Sequence, residues 1–225
     1  ALGLGVALFA SACGSSGDSG TDSSPSEDSS SAAANSSVLS CPESQGGTGE
    51  DPGEKGDPSA VPASTGTTDA PLKLGTLLPT TGALAFLGPP EIAGVDLAIE
   101  EINAAGGVLG QPVEVVHRDS GDTTTDIATQ SVTDLLSQDV SAIVGAASSG
   151  VSKTVINQIT GAGVIQFSPA NTSPDFTDWD DNGLYWRTAP SDVLQGRTLG
   201  NYIMECGAQT VGMIVLNDAY GTGLQ

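Results

Sequence analysis

Residues 141–151, Ser-Ala-Ile-Val-Gly-Ala-Ala-Ser-Ser-Gly-Val, contain the transition on which the fold assignment rests. The apolar run at residues 141–145 has the length of a buried β-strand, and the small residues after it predict a tight turn. The apolar residues that follow fall on one face of a helix: Val151, Val155, Ile156 and Ile159. This stretch therefore predicts a strand, a turn and a helix in direct succession.

The same alternation continues on both sides of this stretch. Further strands are predicted at residues 72–78, 113–117, 164–167, 186–188 and 211–216. Helices are predicted where apolar residues recur three or four positions apart: Ile92, Val95, Ile99 and Ile102, ended by Gly106-Gly107; Ala128, Val132, Leu135 and Leu136, capped by Asp122; and residues 192–206. Alternating strands and helices imply βαβ crossovers and a parallel sheet, so the predicted fold class is α/β.

The charge balance of the chain excludes two classes of partner. Its 225 residues include 27 Asp and Glu side chains against 6 Lys and Arg, a net charge of −21. Nucleic-acid binding depends on clustered basic side chains that neutralise phosphates, so that class of function is excluded. Attachment to anionic lipid by charge is excluded for the same reason.

The first 70 residues differ from the rest in composition. Residues 1–13 are apolar and end in Ala10-Ser11-Ala12-Cys13, which is typical of a signal-peptide remnant with a bacterial lipobox, in which Cys13 is acylated. An ordinary secretory signal with an incidental cysteine is the alternative. Residues 14–70 are rich in Ser, Gly, Pro and acidic residues and carry few large apolar side chains. We therefore expect them to form a disordered acidic tether.

Three features that suggest chemistry receive structural interpretations instead. Cys41 and Cys206 are expected to be free thiols, although a disulfide between them would suit an exported protein. His117 is expected at a strand end facing solvent, because no nucleophile or orienting group accompanies it. Residues 178–183 match the start of a calcium loop, but Ala189 stands at the twelfth position, where a Glu is needed. A polar surface turn is therefore expected there.

The sequence lacks the usual signatures of enzymes on α/β folds. The turn after the predicted first strand, at residues 79–84, has no G-x-G-x-x-G pattern for a dinucleotide. No Gly-x-Ser-x-Gly nucleophile motif is present, and the single histidine cannot supply a metal-binding cluster. We therefore expect a protein that is not an enzyme and that uses neither a metal nor a cofactor.

The turn Ser148-Ser149-Gly150 is the strongest candidate for a binding site. Free backbone amides at a helix N-terminus carry partial positive charge, so this turn can hold an anion such as a carboxylate. Residues 168–172 follow the next strand, emerge at the same edge of the sheet, and offer further donors and acceptors. Plain helix capping by serine is the alternative explanation.

Six stretches form an ordered set of motifs: residues 74–82 (LGTLLPTTG), 94–110 (GVDLAIEEINAAGGVLG), 143–150 (IVGAASSG), 167–174 (FSPANTSP), 187–192 (RTAPSD) and 217–221 (NDAYG). Together they resemble the Leu/Ile/Val-binding group of the type I periplasmic binding proteins. The likeness runs from residue 72 to residue 224 with few gaps. One such motif would be a weak signal, whereas the ordered set is specific.

The resemblance implies two Rossmann-like lobes that close on a small solute like a hinged clamp. Residues 71–189 would form most of the first, ligand-binding lobe, and residues 190–225 only the start of the second, in a chain that we expect to be truncated at its C-terminus. Pro190 would lie near the hinge.

The resemblance also implies a set of binding residues. The ligand carboxylate would be held by Ser149 and by groups at Ala170 and Thr172, and Gly150 belongs to the same helix N-terminal turn. In addition, one residue of the first lobe would pack on the ligand and one of the second would close over it: Leu87 and Tyr220, respectively.

The function implied by the resemblance is transport rather than catalysis. We expect an extracytoplasmic lipoprotein, anchored to the bacterial cell membrane through Cys13, that delivers a small solute to the permease of an ABC importer. A branched-chain or related amino acid is the expected solute. The alternative hypothesis is a receptor that senses amides, urea or other small solutes and regulates a signalling partner.

Overall fold

The computed structural model describes residues 66–225. The signal remnant, Cys13, Cys41 and nearly all of the expected tether lie outside the described residues, so the expectations about them stay predictions. Among the helices of residues 66–225, none is long and apolar enough to cross a bilayer.

Five strands and five α-helices make up the described part of the chain. The strands are β1 Lys73–Leu78, β2 Glu114–Asp119, β3 Ala142–Gly145, β4 Ile165–Ser168 and β5 Tyr185–Arg187. The helices are α1 Gly88–Ala104, α2 Ile127–Ser137, α3 Ser149–Gly161, α4 Asp192–Glu205 and α5 Ala219–Leu224, with a 3₁₀ turn at Pro174–Phe176.

The strands form one parallel sheet in the order β2-β1-β3-β4-β5. The predicted α/β class with a parallel sheet is therefore confirmed. Because β1 lies between β2 and β3, the loops that leave these three strands emerge side by side at one edge. In open α/β sheets this reversal of strand order opens a crevice in which ligands bind.

Helices α2 and α3 cover one face of the sheet and form the main core with it. Its fully buried members are Leu77, Val132, Leu135, Ile143, Val155 and Ile159. The predicted apolar stripes of both helices are thus the ones that pack, since a helix buries the face on which its apolar residues recur. A smaller cluster of Ile156, Phe176 and Tyr185 lies under the 3₁₀ turn.

His117 does not face solvent freely, so that prediction is wrong. Its Nδ1 lies 2.9 Å from Thr76 Oγ1 on β1, and its Nε2 lies 3.0 Å from Asp96 Oδ1 on α1. The side chain is half-buried. His117 lies on β2, an edge strand with a partner strand on one side only. Helix α1 covers its side chain from the face of the sheet.

Asp122 does not cap helix α2, which begins four residues later than predicted. The residue before the helix is Asp126, and its side chain makes no capping hydrogen bond. Asp122 Oδ1 instead accepts from the backbone N and the Oγ1 of Thr124, at 2.9 and 2.6 Å. Aspartate favours such local turns over helix, which delays the start of the helix.

The strand predicted at residues 211–216 is absent from the structure. This run has no regular secondary structure, and Ile214 in it is fully exposed. No described strand lies beside it to accept its backbone hydrogen bonds. Apolar character is therefore not enough to form a strand where no partner strand is available.

Cys206 is disulfide-bonded, which corrects the expectation that it is a free thiol. It ends helix α4 and is buried. Spacing in the sequence gave no sign of this bond, because disulfide pairing depends on proximity in space. The segment at residues 178–183 forms the expected polar turn, in which Asp181 Oδ1 accepts from Gly183 N at 2.6 Å.

Candidate functional site

The turn after β3 leaves two backbone amides without an intrahelical partner. Ser148 precedes helix α3, and its Oγ accepts from Val151 N at 3.3 Å, so the capping explanation holds for this residue. The amides of Ser149 and Gly150 belong to the first turn, where a helix offers no acceptor. Neither amide donates a hydrogen bond within residues 66–225. Capping by one serine thus leaves the anion-binding potential of the next two residues intact.

Ser149 joins the turn to the loop after β4. Its Oγ accepts from Thr172 N at 3.2 Å and from Ser173 N at 3.3 Å, and the residue is 2% exposed. A hydroxyl oxygen has two lone pairs, and both face these amides. The Ser149 hydroxyl can therefore offer only its proton to a further group, which makes it a donor.

Thr172 has the opposite polarity. Its Oγ1 donates to Asp192 Oδ2 at 2.9 Å, and its carbonyl accepts from Asp192 N at 2.8 Å. An ionised carboxylate can only accept, so the threonine proton is committed to Asp192. The lone pairs of Thr172 Oγ1 remain, which makes this hydroxyl an acceptor toward a further group.

Asp192 was missed as a functional residue by sequence reasoning, although it ends one of the motifs. It is 1% exposed, and its Oδ1 has no hydrogen-bond partner in the described part of the chain. Burial raises the pKa of Asp192, and the Thr172 hydroxyl and the Arg187 charge partly offset that shift. A buried, half-satisfied acid at a loop of the crevice is the signal that only the structure reveals.

Ala170 contributes a carbonyl to the same loop. Its N–H donates to Ser168 Oγ at 3.3 Å, and its carbonyl accepts no hydrogen bond within residues 66–225. The loop is held by the fully buried Asn171, whose Nδ2 donates to Ala147 O and whose Oδ1 accepts from Tyr185 OH, both at 2.9 Å. Asn171 was also missed, because nothing in the sequence separates a loop-bracing Asn from an exposed one.

Tyr220 and Leu87, the other two predicted contact residues, belong to other elements. Tyr220 lies at the start of α5, where burial and the charges of Asp192 and Asp218 raise its pKa. Leu87 directly precedes α1, is partly buried, and belongs to the loop after β1. Hydrogen bonds join Ser149 to Thr172 and Thr172 to Asp192, and the charge of Asp192 acts on Tyr220. Leu87 shares no hydrogen bond with them in the described region.

Gly150 is covered in this conformation. A Cβ at this position would lie 2.6 Å from Thr123 Cγ2 and 3.5 Å from Asp218 Oδ2, so only glycine fits. Beside it lies a cavity of about 530 Å³ lined by Thr123, Gly150, Lys153, Thr154, Asn217, Asp218, Ala219 and Thr222. Gly150 thus lies between this cavity and the start of α3.

Comparison with known proteins gives the family. Residues 71–225 match the sequence model of the family described as periplasmic binding protein. A leucine-, isoleucine-, valine-, threonine- and alanine-binding protein of Pseudomonas aeruginosa is 30% identical over 155 residues, which are 68% of this chain and 41% of that protein. The family is one of binding proteins rather than enzymes, which agrees with the prediction from sequence.

Solved structures agree with this result. LivJ, the branched-chain amino acid transporter substrate binding protein of Streptococcus pneumoniae, solved with isoleucine, matches with a TM-score of 0.55 and 36% identity over 60% of this chain and 38% of that chain. An extracellular ligand-binding receptor of Rhodopseudomonas palustris matches with a TM-score of 0.61 and 28% identity over 69% and 42%. The chain spans about two fifths of the length of these relatives. It belongs to the type I periplasmic binding proteins, in the Leu/Ile/Val-binding group.

Proposed function

We propose that this protein captures a free amino acid outside the cytoplasm and delivers it to the permease of an ABC importer. The observation that carries the proposal is the opposite polarity of two hydroxyl groups in the crevice. Ser149 can only donate and Thr172 can only accept. A free amino acid carries a carboxylate that needs donors and an ammonium that needs acceptors, so it matches both ends of this arrangement.

The carboxylate end is Ser149 with the first turn of α3. The hydroxyl proton and the amides of Ser149 and Gly150 form a set of donors at a helix N-terminus, where the peptide dipoles favour negative charge. Such charge-assisted bonds in a dry crevice are stronger than neutral ones.

The ammonium end is Thr172 with Ala170, which differs from the carboxylate role that the resemblance implies for these two residues. Thr172 Oγ1 and the Ala170 carbonyl both offer lone pairs with no donor from residues 66–225. Asp192 keeps the threonine proton turned away from the ligand and adds negative charge behind it. An ammonium group has three N–H donors and therefore needs a third acceptor, which a carboxylate of the second lobe would supply.

Closure and side-chain contact complete the proposal. Residues 71–189 would form the ligand-binding lobe and residues 190–225 the start of the second lobe, which carries Tyr220. The covered state of Gly150 corresponds to a closed clamp, so ligand entry would require a hinge motion. Leu87 would contact the ligand side chain, and an aliphatic residue there favours a branched-chain amino acid, the ligand class named for the LivJ relative.

Attachment to the membrane is the last component. Acylation of Cys13 would hold the protein at the outer side of the cell membrane, and residues 14–70 would let it reach the permease. The alternative, a receptor for amides or urea coupled to signalling, is less well supported, because neither ligand has a carboxylate for the donors at Ser149.

The test uses three probes on the intact protein: L-leucine, 4-methylpentanoate, which lacks the ammonium, and isopentylamine, which lacks the carboxylate. We expect leucine to bind far more tightly than either analogue. Ser149→Ala and Thr172→Ala should each weaken leucine binding by about 1–3 kcal/mol, measured by calorimetry. Thr198→Ala is the control, since this exposed threonine bonds only within its own helix.

Two results would contradict the proposal. Wild-type affinity for leucine in both site variants would mean that these residues only brace the loops. Tight binding of acetamide or urea, with no binding of leucine, isoleucine or valine, would instead favour the receptor alternative.

A further inference from the structure

The loop between β1 and α1, residues 79–87, is called the mouth loop because it lies next to the turn after β3 and ends at Leu87. Few of its own backbone bonds hold it: Ala85 N donates to Gly82 O and Leu87 N to Leu84 O, at 3.2 and 2.9 Å. A nine-residue loop with two internal hydrogen bonds needs outside support to keep one conformation. The support comes from two aspartates, one at the end of β2 and one just after it.

Asp119, the last residue of β2, accepts four hydrogen bonds. Its Oδ1 accepts from Thr80 N at 2.8 Å, Thr81 N at 3.2 Å and Gly121 N at 2.9 Å, and its Oδ2 accepts from Thr81 Oγ1. Three of these donors belong to the mouth loop. These hydrogen bonds lower the pKa of Asp119 to about 2 against the opposing effect of burial, so the carboxylate stays ionised at any ordinary pH.

Asp122 holds the next part of the mouth loop. Its Oδ2 accepts from Ala83 N at 3.3 Å. The same oxygen occupies the space that a Cβ on Gly82 would need, and Gly82 has a φ of +83°, so only glycine fits under this carboxylate. The two aspartates therefore hold neighbouring residues of the mouth loop by hydrogen bonds.

The turn that carries Asp122 also contacts the start of α3, where the ligand carboxylate would bind. Thr123 Cγ2 lies over Gly150, close enough to exclude any side chain there. The Ser120 amide extends the hydrogen-bond pattern between β1 and β2 by donating to Leu78 O at 3.0 Å. This bond joins the turn to the end of β1. Residues 119–123, here called the acidic bracket, thus contact both the mouth loop and the start of α3.

We infer that Asp119 and Asp122 are positioning residues that set the side-chain preference of the binding site. They fix the distance between Leu87, at the end of the mouth loop, and the amides of α3 that would hold the ligand carboxylate. This inference rests on the proposed function. It assigns the bracket no contact with the ligand, so loss of the bracket should change which side chains are accepted more than it changes the grip on the main-chain groups.

The experiment compares Asp119→Asn with Asp126→Asn in the intact protein. Asn at 119 keeps the shape but has one accepting oxygen and presents an NH₂ group to the Thr81 hydroxyl. Asp126 lies in the same segment and its carboxylate accepts no capping hydrogen bond, which makes it a matched control for charge. The probes are L-leucine, whose side chain would reach Leu87, and L-alanine, whose methyl group would not.

Asp119→Asn should reduce the ratio of leucine to alanine affinity about 10-fold, within the range that a hydrophobic pocket gains from added carbon atoms. Alanine affinity should change little, and Asp126→Asn should preserve the ratio. In the absence of ligand, hydrogen exchange at residues 80–83 should accelerate about 10-fold in Asp119→Asn, because charge-assisted bonds are lost, while exchange in α2 and α3 stays unchanged.

The outcomes separate the two claims. An unchanged ratio, or equal losses for both probes, would overturn the inference while leaving the proposed function in place. Unchanged exchange in the mouth loop would overturn it independently of any ligand. Failure of the wild-type protein to bind either probe would overturn the proposed function, and the specificity role with it.

Discussion

Residues 141–145 and residues 211–216 are both short apolar runs, yet they have opposite fates. The first contains β3, which lies between β1 and β4, and Ile143 in it is fully buried. The second has no regular secondary structure, and Ile214 in it is fully exposed. The difference shows that a strand is defined by its neighbours: apolar side chains favour it, but partner backbones and a covering helix decide it.

The helices repeat this contrast. Helix α3 buries eight of its residues against the sheet and α2, whereas α4 buries Asp192 alone. The apolar side chains of α4 are mostly exposed: Val193, Leu194, Leu199, Tyr202 and Met204. Buried apolar packing is therefore concentrated in the five-stranded part of the chain, and the stretch after β5 is held by a few specific links such as Asp192 to Thr172 and the Cys206 disulfide.

The largest expected effect comes from substituting one isoleucine in each region. Ile143→Ala should lower the free energy of unfolding by about 3 kcal/mol, because it leaves a cavity in the packed core. Ile214→Ala in the same 225-residue chain should change it by less than about 0.5 kcal/mol. Urea denaturation followed by circular dichroism measures both. A cost above about 1 kcal/mol for Ile214→Ala would show that residues 211–216 are packed in solution.

The second prediction concerns Glu91, in the first turn of α1. Burial raises its pKa to about 7, and its Oε2 has no hydrogen-bond partner among the described residues. The folded protein therefore holds this proton up to about pH 7, whereas the unfolded chain releases it near its ordinary value. Stability should fall as pH rises across that interval and stay lower above it.

Glu91→Gln removes this cost. At pH 8 it should raise the free energy of unfolding by about 1–2 kcal/mol, after a discount for the partial exposure of the group. At pH 4 it should have almost no effect. Thermal denaturation at the two pH values measures the difference, and equal shifts at both would contradict the burial argument.

A third prediction compares two capping serines. Ser148 Oγ caps the buried helix α3 and Ser191 Oγ caps the exposed helix α4, accepting at 3.3 and 3.4 Å. Ser148→Ala should cost about 1 kcal/mol, and Ser191→Ala about half of that, because local fraying of α4 releases little packing. Chemical denaturation of both variants gives the comparison. Equal costs would indicate that α4 is packed as firmly as α3.

A fourth prediction concerns the acid dependence of Asp119. Its pKa is lowered, so its stabilising bonds are complete above about pH 4 and are lost as pH falls toward 2. After a discount for solvent screening, the loss should be about 1 kcal/mol. Wild-type protein should show this extra loss between pH 4 and pH 2, relative to Asp119→Asn. Parallel profiles would mean that the bracket is not charged as described.

The predicted strands and helices of the sheet region were right because their patterns report burial. Val132 and Leu135 lie on the face of α2 that packs in the core, and the apolar run that ends at Gly145 is the strand on which this core packs. The same reasoning failed at residues 211–216, since a pattern cannot say whether a partner strand is present. It failed at Asp122 because a short turn competed with the helix for the same side chain.

The candidate site was only partly readable from the sequence. A serine at a strand–turn–helix junction indicates a helix N-terminus with free backbone amides, so Ser149 and Gly150 could be predicted from the sequence. The polarity of Thr172 could not, because it depends on Asp192, twenty residues away and joined only in the fold. The roles of the bracket aspartates likewise depend on strand order, which places the end of β2 beside the loop after β1.

The link through His117 has a practical consequence. The chain contains one histidine, and its ring bridges the first strand to the first helix through Thr76 and Asp96. The imidazole therefore yields a single, unambiguous set of nitrogen resonances, whose coupling pattern reports which ring nitrogen holds the proton. In a nitrogen-15-enriched sample, these resonances report how that helix is seated on the sheet without an added probe group.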